Sequence, residues 1–189
     1  MFLFPALLLA TDPALAGGIG IIGTGGVHAD RVYGYEELAN GDFDQQDPET
    51  QFNPHGGGGL EILLGDRDNR VMGVFRGYYV VDGPQSAPAA GSIYAIRDTS
   101  RGIGMATAGL QWTVWGEPDA LAAIVTGNAG AGIFTDDRTE FLDLAVGGGM
   151  TKMLTTELQL QGNVTVGARY RKRFFAEAGA TVGVRYLFD

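Results

Sequence analysis

Two stretches near the end of the chain restrict its fold more than anything else in it. Between Glu157 and Tyr170, the residues Leu158, Leu160, Gly162, Val164, Val166, Ala168 and Tyr170 alternate with Gln159, Gln161, Asn163, Thr165, Gly167 and Arg169. From Ala176 the pattern returns: Ala178, Ala180, Val182, Val184, Tyr186 and Phe188 share one face, with Glu177, Gly179, Thr181, Gly183, Arg185 and Leu187 on the other. Successive side chains of a strand point to opposite faces, so a sustained period of two predicts strands with one apolar and one polar face. Both stretches exceed the five or six residues usual in a globular sheet. They suit a tilted strand crossing hydrocarbon, which needs about 9–11 residues.

Six earlier segments read the same way. They are 17–28 (Ile19, Ile21 and Val27), 56–66 (Leu60, Ile62, Leu64), 70–81 (Val71, Phe75, Tyr79, Val81), 103–115 (Ala106, Ala108, Leu110, Trp112, Val114), 120–134 (Leu121, Ala123, Val125, Ala129, Ile133) and 141–151 (Leu142, Leu144, Val146, Met150). The total is eight strands, an even number. The connections alternate too. Short turns at Asp68-Asn69, Gly116 to Asp119 and Lys152 to Thr156 lie at one end. The other end carries long loops at 29–55 and 82–102 and short ones near 135–140 and 171–173. Turns at one end and loops at the other are the layout of a membrane barrel. The expected fold is therefore all-β, an eight-stranded antiparallel up-and-down transmembrane β-barrel spanning 17–189. A soluble lipocalin-like barrel would bury the apolar face instead, and alternation alone does not say which face points in.

The remaining composition narrows the class. Glycine, at 31 of 189 residues, is abundant without a collagen period, which places it inside strands. A net charge of −9 argues against nucleic acid as a partner. With no cysteine, the fold is not stapled by disulfides. Met1 to Ala10 is apolar but too short to span a bilayer as a helix, and Ala14-Leu15-Ala16 offers a cleavage pattern before Gly17. Residues 1–16 are expected to be a secretory signal, although it lacks the usual Lys or Arg near its start.

Register supplies candidate lumen groups. A hairpin turn at Asp68-Asn69 sets Arg67 opposite Arg70 and Glu61 opposite Arg76. A last loop at Arg171 to Arg173 sets Tyr170 opposite Phe174, with Arg169 diagonal to Glu177 and, further down, Arg185 diagonal to Glu157. These charges would fill a narrow lumen against small residues such as Gly20, Gly130 and Gly147. Trp112, Trp115, Tyr186 and Phe188 are expected at the turn-side interface, with Tyr79, Tyr170 and Phe174 at the loop side, as two aromatic girdles.

The final residues, Thr181-Val182-Gly183-Val184-Arg185-Tyr186-Leu187-Phe188, resemble the C-terminal insertion signal of bacterial outer-membrane proteins. Thr181, Gly183, Tyr186 and Phe188 are the matching positions, and Asp189 departs from it as one residue beyond the terminal aromatic. As a whole the chain resembles the small OmpA/OmpX-type barrels. That resemblance implies export to the bacterial outer membrane, insertion by the barrel-assembly machinery, and contact with outer-membrane lipids and lipopolysaccharide. It implies no cofactor.

Function in such barrels varies with the loops. The leading reading is a structural or surface-interaction protein whose loops 29–55 and 82–102 meet an extracellular ligand or surface protein. A narrow pore is one alternative. A lipid A-modifying hydrolase or acyltransferase is the other, resting on His28 and His55, which would meet at the outer rim, with Asp30 to orient one of them. The serines are confined to Ser86, Ser92 and Ser100, and no catalytic residue is assigned. In the first loop Asp42, Asp44 and Asp47 are weak metal candidates, because the spacing lacks the closing Glu of a calcium loop. The favoured reading there is a solvated acidic loop.

Overall fold

The computed structural model describes residues 16–32, 34–45, 47–66, 68–85, 93–94, 99–171 and 173–188. Apart from Ala16, the expected signal segment lies outside the described residues, as do Arg67 and Asp189. Eleven strands are present: β1 (Gly17–Val32), β2 (Gly34–Glu37), β3 (Phe43–Gln45), β4 (Glu49–Leu64), β5 (Val71–Asp82), β6 (Ile93–Tyr94), β7 (Arg101–Gly116), β8 (Leu121–Phe134), β9 (Glu140–Met153), β10 (Leu158–Arg171) and β11 (Arg173–Phe188). Eight of them close a barrel in the order β1-β11-β10-β9-β8-β7-β5-β4, every neighbouring pair antiparallel. The chain's last strand thus pairs with its first, Phe188 opposite Gly17, which removes the open edge. Among the described residues there is no helix.

Alternation decides the faces. Ile19, Ile21, Leu60, Leu144, Val146 and Val164 stand exposed on the outer wall, while Thr126, Gln161, Asn163 and Arg185 are buried inside. An apolar belt around the whole circumference is far larger than the patches soluble monomers expose. Its natural solvent is hydrocarbon. Trp112, Trp115, Tyr186 and Phe188 are exposed near the turn end, and Tyr79, Tyr170 and Phe174 near the loop end, where the Tyr170 and Phe174 rings lie 5.0 Å apart. Strict alternation would turn Trp115 to the face opposite Trp112. A register shift between Thr113 and Trp115 turns both outward.

The structure corrects the expected boundaries at the loop end. β1 runs on to Val32 and β4 starts at Glu49, so the first loop is not a 29–55 connection but a shorter one, 33–48, that carries β2 and β3. Hydrophobic periodicity is weak there because Phe52 is the one large apolar side chain in 49–55, while the buried positions of that stretch are the polar Asn53 and His55. The Gly56 to Gly59 run in β4 adds no pattern of its own. At the turn end β9 continues to Met153, and the turn falls at 154–157.

Candidate functional site

The lumen is built in layers. Nearest the turns, Leu63, Met72, Val74 and Leu187 form an inward apolar cluster with Met153 packed against it. Above it sits Glu61, 1% exposed, bonded by two arginines: Arg76 Nε donates to its Oε2 and Arg185 Nε to its Oε1, each at 2.6 Å. Gln161 also donates to Oε1, Arg185 reaches Gln159 Oε1 at 3.0 Å, and Arg76 reaches Asn128 Oδ1 at 3.3 Å. Buried charges persist only when paired and hydrogen-bonded in this way.

This layer follows one row of the register. Arg185 is opposite Gly20, Gly20 is opposite Glu61, and Glu61 is opposite Arg76. Gly20 has no side chain to stand between them, and a Cβ there would lie 3.1 Å from Arg185 Cγ. The sequence-predicted partner of Arg185, Glu157, is not in the lumen. It lies in the exposed turn before β10, where its carbonyl accepts the Leu187 N–H. Pairing Arg185 across β10 alone missed Glu61, which is reached only through the seam between first and last strands.

A second polar layer lies toward the loops. Arg169 Nε is 2.6 Å from Glu177 Oε2, the diagonal arrangement expected, and 3.6 Å from Asp143 on β9. His28 and His55 do come together, buried at 3% and 8% exposure, with ring centroids 5.9 Å apart. His28 Nε2 is 3.6 Å from Asp82 Oδ2, and His55 Nε2 is 3.8 Å from Glu177 Oε1. Arg101 donates to Asp82 at 2.9 Å. Asp82, Arg101 and Asp143 were not singled out from sequence. Asp82 shares its parity with Arg76, which would have placed it inside. Val80, Ile103, Phe134 and Phe141 form a second inward apolar cluster beside this layer.

At the outer end, β3-β2-β6 form a small sheet that takes β2 and β3 from the first long connection and β6 from the second. Asp42, Asp44 and Asp47 are exposed. Asn40 Nδ2 donates to Asp42 Oδ2 at 2.8 Å, a local turn contact. Among the described residues no group of three or more His, Asp or Glu is placed to hold a metal ion. In the β8–β9 turn, Asp137 accepts from the Thr139 N–H and from Arg171, both at 2.8 Å. Desolvation works to raise the Asp137 carboxyl, but the Thr139 bonds and the Arg171 charge prevail and hold it below its ordinary value.

Polar inside, apolar outside, closed, and with turns and loops segregated: this is the fold of the eight-stranded outer-membrane β-barrels. No family model matches the chain, and no curated protein matches it. Solved structures similar to it include Ail, the attachment invasion locus protein of Yersinia pestis, at 14% identity and a TM-score of 0.43, covering 90% of this chain and 99% of that one. Neisserial surface protein A is similar at 12% identity and a TM-score of 0.46, covering 90% and 97%. Ail in complex with the heparin analogue sucrose octasulfate gives 16% identity, a TM-score of 0.35 and coverage of 90% and 99%.

Proposed function

We propose that the chain is exported by its N-terminal segment, is inserted into a bacterial outer membrane through the signal at Thr181 to Phe188, and serves there as a surface-interaction protein without enzymatic chemistry. One observation carries the reading: the two long outer connections are joined into one sheet, β3-β2-β6, mounted above a wall whose lumen is filled. The connections 33–48 and 83–100 are the interaction element, and the acidic side chains of the first, Glu36, Glu37, Asp42, Asp44 and Asp47, favour a cationic partner surface, or divalent ions bridging to lipopolysaccharide phosphates. The filled lumen favours this over a pore. The histidines meet carboxylates that arginines also pair with, an arrangement suited to a structural polar layer, and Ser100 is exposed at the outer end.

The test replaces residues 33–48 by a short Gly-Ser turn and displays both proteins on cells. The barrel should still insert and show heat-dependent gel migration, while surface cross-links formed by the native protein disappear. Unchanged cross-links after the deletion would remove the outer sheet from the function.

A further inference from the structure

The two histidines mark the level at which the ladders of β1 with β11 and of β4 with β5 end, while β1 and β4 run on paired with each other. β1 stays paired with β4 from Gly17 to Val32, but its pairing with β11 ends at His28, opposite Glu177. On the other side, β4 pairs with β5 only from His55, opposite Asp82, downward; one further bond runs from the Gly83 N–H to the Pro54 carbonyl. Residues 29–32 and 49–53 therefore form a two-stranded arm, and the chain between them holds β2 and β3.

The groups at its base are crossed. Each histidine lies opposite one carboxylate in register but approaches the other: His28 meets Asp82 of β5, and His55 meets Glu177 of β11. The contacts thus tie each strand of the arm to the neighbour of its partner strand. Around the stacked pair stand Asp82 with Arg101 of β7, Glu177 with Arg169 of β10, and Asp143 of β9. From β4 the neutral Asn53 lies opposite His28, Asp30 follows two positions along β1, and β8 brings only Gly130 opposite Asp143. With both imidazoles neutral, three carboxylates face two guanidinium groups, a net charge of −1. One proton balances that charge. A second leaves two imidazolium rings stacked at 5.9 Å, both buried, where like charges repel more strongly than they would in water.

We propose that this cluster is a proton-operated latch on the arm: with at most one of the two histidines charged it holds the hairpin to the rim, and double protonation releases it. The latch itself stands on the geometry of the rim. Its consequence, control of surface binding by mild acid, rests on the function proposed above.

The test is hydrogen–deuterium exchange of the refolded full chain in detergent micelles at about pH 7.5 and pH 4.5, corrected for intrinsic exchange. Amides of 29–32 and 49–53 should lose protection by about tenfold at the lower pH, while 60–64 and 105–112 stay protected. The double variant His28→Gln/His55→Gln should keep the arm's protection the same at both values. If that variant fails to show heat-dependent migration, the single variants His28→Gln and His55→Gln are used, and each should shrink the response. Equal protection of the native arm at both pH values, or the same acid loosening in the variants, overturns the latch. Cross-linking at pH 7.5 with and without residues 33–48 reads the function separately, so either proposal can fail alone.

Discussion

Glu61 is the residue with most at stake, because two guanidinium groups converge on one buried carboxylate. Glu61→Ala leaves Arg76 and Arg185 without that partner, and removing one member of a buried pair typically costs about 3–5 kcal/mol. A loss of that size in urea unfolding of the refolded barrel is expected, against under about 0.5 kcal/mol for Glu157→Ala in its exposed turn. Similar losses for the two would remove the buried layer's special standing. Asp137 provides a contrast at the surface, 44% exposed in its side chain. Its carboxyl is held low in the folded state, so the stability it contributes is present above the ordinary aspartate value and lost as pH falls through its depressed folded value. The β8–β9 turn should therefore loosen as acid takes the pH below the ordinary aspartate value, and Asp137→Asn should flatten that dependence in exchange of the 135–140 amides. Parity made many of these residues legible. Glu61 opposite Arg76 and Arg169 diagonal to Glu177 follow from counting along one hairpin. Arg185 with Glu61 does not, because the contact crosses the seam and needs Gly20 to leave room.

Strands were legible wherever one face met lipid and the other the lumen, and illegible where that contrast ended. Thus β10 and β11 are plain in the sequence, while residues 29–32 and 49–55 carry too little apolar contrast to announce a paired arm. The bulge that turns Trp115 outward is likewise invisible to a strict period of two. Glycines within these elements divide into two kinds. A Cβ at Gly59 would lie 2.0 Å from the Gly77 carbonyl oxygen, whereas one at Gly77 meets nothing within 4 Å. Gly77 faces an outer crevice of about 1080 Å³ lined also by Gly104, Ala106 and Ala131. Gly59→Ala should consequently destabilise the barrel by about 1–3 kcal/mol through backbone displacement. Gly77→Ala should be neutral or stabilising by up to about 1 kcal/mol, since it restrains the unfolded chain. Urea midpoints of the two variants, measured side by side, distinguish a packing requirement from a general intolerance of side chains in these strands.

At the scale of the whole barrel, the succession of layers decides what can pass through it. An ion entering from the loop end meets the histidine and arginine layer, then the Glu61, Arg76 and Arg185 knot, and finally the apolar cluster of Leu63, Met72, Val74 and Leu187. Each layer closes the lumen differently. The charged knot occupies space with paired side chains, whereas the apolar cluster offers no polar group to replace an ion's hydration shell. The native protein should accordingly give no steady conductance in a planar bilayer. Deleting charge alone, in Arg76→Ala or Arg185→Ala, should leave it silent because the apolar layer remains below. Adding Leu63→Ala and Leu187→Ala to Arg185→Ala should open a path, provided the variant keeps its heat-dependent migration. Conductance in the native barrel would instead restore the pore reading, and conductance in Arg185→Ala alone would mean that the arginine knot, with the apolar layer contributing nothing, is the barrier.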